Sequence, residues 1–465
     1  MADAPTIVWF RDDLRVADHP ALAAAVDRGA PVVCVYVLDE VSPGIRPLGG
    51  AAKWWLHHSL TALAASIEGL GASLVLRRGP AGRVLRSLVD ETEAGAVFWN
   101  RRYGGPEREL DAALKADLTS RGVEARSFAA SLLFEPWTIR TGQGTPFSVF
   151  TPFWSSCTAA PEPRHPLPAP SSVEGADAAS EALGDWDLLP TRPDWAAGMR
   201  AAWTPGASAA HARLAAFVAD DLTDYDEGRD RPELAATSRL SPRLRWGELS
   251  PYEVWHAVRE RHATGGTANA GRGAVSATRF LTELGWREFA WHVLFHAPDL
   301  ATRNWRAEFD AFPWPALDED ALRAWQAGNT GVPLVDAGMR ELWETGAMHN
   351  RVRMVVASFL TKNLLIDWRL GEAWFWDTLV DADAAANAFN WQWVAGSGAD
   401  AAPYFRIFNP ELQAAKFDPR GEYVRRWVSE AGTGAYPEPI VDLRESRTAA
   451  LAAYEHVKAA RARER

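Results

Sequence analysis

Five short apolar runs in the first 135 residues, separated by helical patterns, constrain this chain more than any other feature. They are Thr6 to Phe10 (TIVWF), Pro31 to Asp39 (PVVCVYVLD), Ser73 to Gly79, Ala96 to Tyr103 and Val123 to Ala129. Between them, residues 51–70 and 107–120 place apolar side chains at helical spacing. Strands alternating with helices imply an α/β fold with a doubly wound parallel sheet, because parallel neighbours need a crossover. Such a sheet takes ligands at the carboxyl ends of its strands. The first strand runs into Phe10 to Arg15 (FRDDLR) instead of a G-x-G-x-x-G turn, which argues against a conventional dinucleotide site.

Past residue 158 the alternation stops. A stretch rich in Pro, Ala and Ser reads as a linker wrapping between domains. Beyond it nearly every apolar pattern is helical, so the second half reads as all-α. The boundaries are 1–135 for the α/β domain, 136–204 for the linker and 205–465 for the helical domain. A chain of 465 residues is too long for one core, in keeping with this division. Two cysteines, Cys34 and Cys157, exclude a disulfide framework or an iron–sulfur cluster. The acidic start has no apolar run, and no stretch is long enough to span a membrane; a cytoplasmic protein is expected. Tryptophan is the anomaly, with 23 indoles against 8 Tyr. A net charge of −11 argues weakly against nucleic acid unless cations cluster locally.

Four segments could carry chemistry. Thr237 to Ser250 gathers hydroxyls, Arg and Gly ahead of a helix, which suits a phosphate or a capped helix with a polar lead-in. Glu283, Trp286 and Arg287 share one helical face, suiting a flat ligand with a phosphate, or an ion pair beside a core indole. His349, Asn350, Arg353 and Met354 lie one turn apart in pairs, as an amide, sulfur and guanidinium set for a base or as a buried polar cap. Asp381 and Asp383 precede a helix and read as caps before metal ligands, since no further ligand stands at metal-site spacing; no metal is expected. That helix opens NAFNWQW (Asn387 to Trp393).

Together these segments resemble the photolyase/cryptochrome family, most closely the bacterial cyclobutane pyrimidine dimer photolyases. The resemblance runs in order through Val8 to Leu22, Asp224 to Pro251, Leu281 to His292, Thr330 to Glu372 and Asn390 to Pro410. It implies an N-terminal antenna domain and a helical domain holding FAD, acting as a carbon–carbon lyase on DNA containing pyrimidine dimers, as a monomer. Tyr225 and the run Thr237, Ser238, Arg239, Leu240 and Ser241 match the family's FAD-phosphate region. Asp381 and Asp383 match carboxylates near the flavin and its sugar, Arg353 matches the partner of Asp381, and Asn387 matches the residue facing flavin N5. Trp391, Trp368 and Trp314 match the indole chain that carries electrons to the flavin, Trp314 with a one-residue insertion before Trp325. Glu283, Trp286, Asn350, Arg351, Met354 and Trp393 match the lesion pocket.

On this resemblance the catalytic residues are Glu283, Asn387 and the three indoles, and Glu283 would hydrogen-bond the dimer carbonyl and stabilise its radical anion. Stacking on Trp286 and Trp393 would offset the cost of extruding the dimer. Arg243, Arg287, Arg340 and Arg351 would neutralise phosphates. Residues 99–109 (WNRRYGGPERE) lie at a strand end where a second antenna chromophore would sit: deazaflavin, methenyltetrahydrofolate or a flavin. The chain departs from the family at Ala347, where Trp is usual, and after Asn387, where Ala-Phe-Asn replaces Asn-Gly-Gly. Three other readings stay open: a cryptochrome without repair activity, a (6-4) photoproduct photolyase, and an electron-transfer or nucleotide-binding flavoprotein.

Overall fold

Each apolar run becomes a strand. β1 (Thr6–Phe10), β2 (Val32–Leu38), β3 (Leu74–Arg78), β4 (Ala96–Asn100) and β5 (Glu124–Phe128) form one parallel sheet in the order β3-β2-β1-β4-β5. The computed structural model describes residues 4–264, 270–401 and 405–463. The first three residues of the acidic start, and residues 402–404 of the last resembling segment, lie outside these.

Every residue of β1, β2 and β4 is buried, because helices cover both faces of the sheet. Each fully buried Val, Ile or Phe there contributes about 1.5–3 kcal/mol. Register follows the doubly wound pattern, with Thr6 opposite both Val32 and Ala96. The strand order reverses between β1 and β4, so the loops after them diverge and leave a crevice.

FRDDLR is the hinge pin of that crevice. Asp12 accepts from Arg245 at 2.6 Å, and Arg15 donates to the Gly247 carbonyl at 2.8 Å, tying the sheet to the helical half. Gly247 has φ +61°, and a Cβ there would strike the backbone of Asp12 and Asp13, so only glycine permits the approach. Arg11 pairs with Asp111 at 2.6 Å, while Asp13 holds Asn100 at 2.7 Å.

The segment expected as a linker, residues 136–204, is packed on both sides. Phe150 and Phe153, on the Phe150–Ala159 helix, enter a core with Phe289 and Val293. Val173, Trp186 and Leu188 enter the core of the sheet. The remainder is helical, and the helices Ala270–His296, Asn350–Ser358, Trp368–Thr378 and Ala386–Ala395 carry most of the residues singled out above. Among the described residues, no helix is long and apolar enough to cross a membrane.

Candidate functional site

The Ala386–Ala395 helix packs against the other three, and its local chemistry explains why. Asp383 caps it, accepting from the N–H groups of Ala385 at 2.9 Å and Ala386 at 2.6 Å. Its carboxyl is buried and its pKa raised by that burial. Gly371 on the neighbouring helix lacks a side chain where one would collide with the Trp391 ring. The two helices thereby close on one another, and Asn387 is buried between them.

Asn387 donates through Nδ2 to the Glu372 carbonyl at 3.0 Å and to Glu372 Oε1 at 2.8 Å. Its Oδ1 has no hydrogen-bond partner among the described residues. Arg353 grips Asp381 with two bonds of 3.1 and 2.9 Å, and Ser241 Oγ donates to the same carboxylate at 2.6 Å. Thr237 and Ser238 are half-buried, with both carbonyls taken by Arg213, and the exposed Arg239 turns the chain at φ +54°. Leu240 is buried. Tyr225 packs edge-on against Phe217 at 5.7 Å and Phe280 at 5.3 Å, with Arg229 over its ring.

A second set of polar groups stands nearer to solvent. Glu283 pairs with Arg229, and Arg229 lies 3.9 Å from Asp230. Asp230 takes Arg351 at 2.8 Å, and Arg351 reaches the Met354 sulfur at 3.7 Å. Asn350 is exposed at the start of its helix, where His349 caps by accepting from the Arg351 N–H. Burial pushes the His349 imidazole down to about 4, so it is neutral at pH 7. Its Nε2 is buried without a partner, as is Trp391 Nε1. Trp286 stacks on Phe150 at 3.7 Å and 10°, and Arg406 lies over Trp393 at 4.7 Å.

Several expectations need correction. Arg243 is buried against Glu248 at 2.7 Å and cannot reach a phosphate. Arg340 is no such case: it pairs with Glu430 at 2.6 Å and both side chains stay partly in water. Arg287 turns away from Glu283 toward Ser131 and Glu288, because Glu288 is a buried carboxyl, raised to about 7, that draws the nearest cation. It lines the crevice between sheet and helices. Asp383 borders that crevice too, as a helix cap with Arg245 and Arg287 near it. Arg351 lies beside Asp230 and Met354, near Glu283.

Trp368 is fully buried and donates to Asn304 at 3.0 Å. Trp391 packs in the same core, and Trp314 is half-buried at its edge, 4.4 Å from Phe312. Trp391 also meets Phe375 at 4.9 Å and Trp325 at 6.2 Å, neighbours that periodicity does not reveal. Ala347 packs half-buried against the sheet's core. Sequence reasoning missed Arg229, Asp230, Glu372 and Arg46. The pattern "DEGRDRPE" (Asp226 to Glu233), dense in both signs of charge, was the available signal for the first two.

The crevice where the strand order reverses is a cavity of about 220 Å³, bounded by Arg102 to Glu107 from the loop after β4 and by Arg46 and Trp376. It borders the segment 99–109, where a second chromophore is expected.

With this geometry in hand, two family profiles match the chain. The one described as DNA photolyase covers residues 6–171, and the one described as FAD binding domain of DNA photolyase covers residues 280–433. The chain is 50% identical to a deoxyribodipyrimidine photo-lyase of Agrobacterium fabrum over 98% of both chains. This chain belongs to the DNA photolyase family. A crystal structure of a bacterial class III photolyase from Agrobacterium tumefaciens superposes with a TM-score of 0.92 at 50% identity, covering 98% of each chain. The family also holds cryptochromes: Cryptochrome-1 of Arabidopsis thaliana is 40% identical over 91% of this chain and 63% of its own length.

FAD is the group this family implies, and the residues fit it. A carboxylate–guanidinium pair shared with a serine, an amide with a free oxygen, and buried polar atoms without partners are what a polar ring edge and a sugar need. These side chains would hold the ring through Asn387, Asp381 and Arg353, and the phosphates through Thr237, Ser238 and Arg239.

Proposed function

We propose that this chain repairs cyclobutane pyrimidine dimers in DNA under blue light. The observation that carries the reading is the layered arrangement of one bundle. Glu283, Asn350, Arg351 and Met354 stand toward solvent, and the Asn387 amide is buried beneath, with Trp286 and Phe389 of the two helices 6.3 Å apart. Bound reduced FAD supplies the light-excited electron that opens the cyclobutane ring and takes it back afterwards.

The chain's own residues do the rest. Arg351 and neighbouring cations meet the DNA backbone, and Asn350 offers its amide to a base edge. Glu283 leaves Arg229 to hydrogen-bond a dimer carbonyl, where negative charge develops. Trp286 and Trp393 pack against the extruded pair; one face of Trp286 is already covered by Phe150, so the indole is rigid. Trp391, Trp368 and Trp314 form the conducting path. The cavity at the strand ends takes the antenna chromophore. The reading uses residues of one chain, so it calls for no second copy, and the proposed form is a monomer in the cytoplasm.

The test uses purified holoprotein with FAD fully reduced and an oligonucleotide carrying one thymine dimer. Blue light should return normal thymines, and darkness should not. Binding of the lesion without any repair would favour the cryptochrome reading. Trp368→Phe should block light-driven reduction of oxidised FAD and spare repair by enzyme reduced chemically.

A further inference from the structure

Arg46 lies in the loop after β2, in the opposite half of the molecule from the helix that carries Asn387. It nevertheless ends on the one carboxylate that Asn387 touches. Its two terminal nitrogens bind Glu372 Oε1 at 2.7 Å and Oε2 at 2.9 Å, and its guanidinium lies 4.1 Å over the Trp376 ring. Glu372 is 4% exposed, and Arg46 is its cation.

We infer that Arg46 is a positioning residue for the flavin-facing amide, acting through Glu372. The inference rests on the proposal that Asn387 faces flavin N5. The argument is geometric. An amide has a donor end and an acceptor end, and rotating it by half a turn exchanges them. Glu372 presents two acceptors, a carbonyl and a carboxylate oxygen, on one side of Asn387. Both require the NH₂ end, so Oδ1 must point away, to where it can accept only from a donor. An N5–H, carried by the reduced ring and absent from the oxidised one, is such a donor.

Glu372 holds both acceptors in place only while its side chain stays in one rotamer. A buried carboxylate without a cation would turn toward water. The planar fork of Arg46 supplies both the charge and a two-point grip. Trp376 in turn keeps the fork flat. The sheet domain thereby sets the hydrogen bond that favours the reduced flavin.

The test compares Arg46→Met, Arg46→Lys and Asn387→Ala with the parent protein, all with matched FAD occupancy. The readout is the rate at which light-reduced flavin reoxidises in air in the dark, with a melting temperature alongside. Arg46→Met should reoxidise about tenfold faster, the loss of one oriented hydrogen bond. Arg46→Lys should fall between, since an ammonium neutralises Glu372 without holding both oxygens. Asn387→Ala should be at least as fast as Arg46→Met. Parental reoxidation in Arg46→Met, with a lowered melting temperature and a fast Asn387→Ala, would reduce Arg46 to a structural pair and overturn the inference. Parental rates in both would overturn the placement of Asn387, and the inference with it. Should Arg46→Met not accumulate as folded holoprotein, Arg46→Gln keeps a donor without the charge and is expected to move the rate the same way.

Discussion

The Glu283 carboxylate, paired with Arg229, keeps 30% of its side chain in water, whereas those of Glu372 and Asp381 keep 4% and 5% beneath arginines that keep 35% and 27%. Both sets are ion pairs, yet they are suited to opposite tasks. A hydrated pair is worth about 0–1 kcal/mol, so DNA can replace one partner at little cost. Taking the cation from a buried carboxylate costs about 3–5 kcal/mol, so such a pair keeps its geometry while its surroundings change. The carboxylate to be exchanged for substrate stays wet, and the carboxylates that hold a cofactor's neighbours are sealed.

The comparison breaks if a buried arginine behaves like an exposed one. Arg243→Ala should lower stability by about 3–5 kcal/mol in urea titrations, because Glu248 then remains buried with its cation gone. The dependence of DNA affinity on salt should not change. A shallower salt slope would return Arg243 to the DNA surface. Glu283→Ala should act in the opposite sense, lowering repair per absorbed photon by about tenfold to hundredfold. Its stability should stay within about 1 kcal/mol of the parent.

His349 sharpens the contrast through pH. Its folded value of about 4 lies below the ordinary histidine value, with burial the largest cause. Between these values the unfolded chain binds the extra proton, so stability is full above the ordinary value and falls as pH drops. From pH 8 to pH 5 the loss should be about 2 kcal/mol. His349→Asn keeps a cap acceptor without a titrating ring and should flatten that part of the profile. The smallest effect belongs to Arg351→Ala, which should reduce the slope of log affinity against log salt by about 0.9, equally for damaged and undamaged duplex.

The sheet was legible almost to the residue because strands covered on both faces read as unbroken apolar runs. The expected strand over residues 31–39, for example, is Val32–Leu38. The bundle was legible as helices but not as neighbours. Arg46 and Glu372 stand 326 positions apart, and no local period links them. Arginines were the poorest guide, since their charge reads as solvent-facing until a partner is seen. Glu248, five residues beyond Arg243, decides that case. Asp383 was read from its residues as a helix cap and is one.

The most direct measurement is a crystal structure of the FAD-loaded protein with duplex DNA carrying one pyrimidine dimer. The account predicts that Glu283 has left Arg229 for a dimer carbonyl, while Arg46, Glu372 and Asn387 stay within a few tenths of an ångström of their present separations. A dimer bound elsewhere with Glu283 still on Arg229, or an Asn387 amide turned away from Glu372, would contradict it.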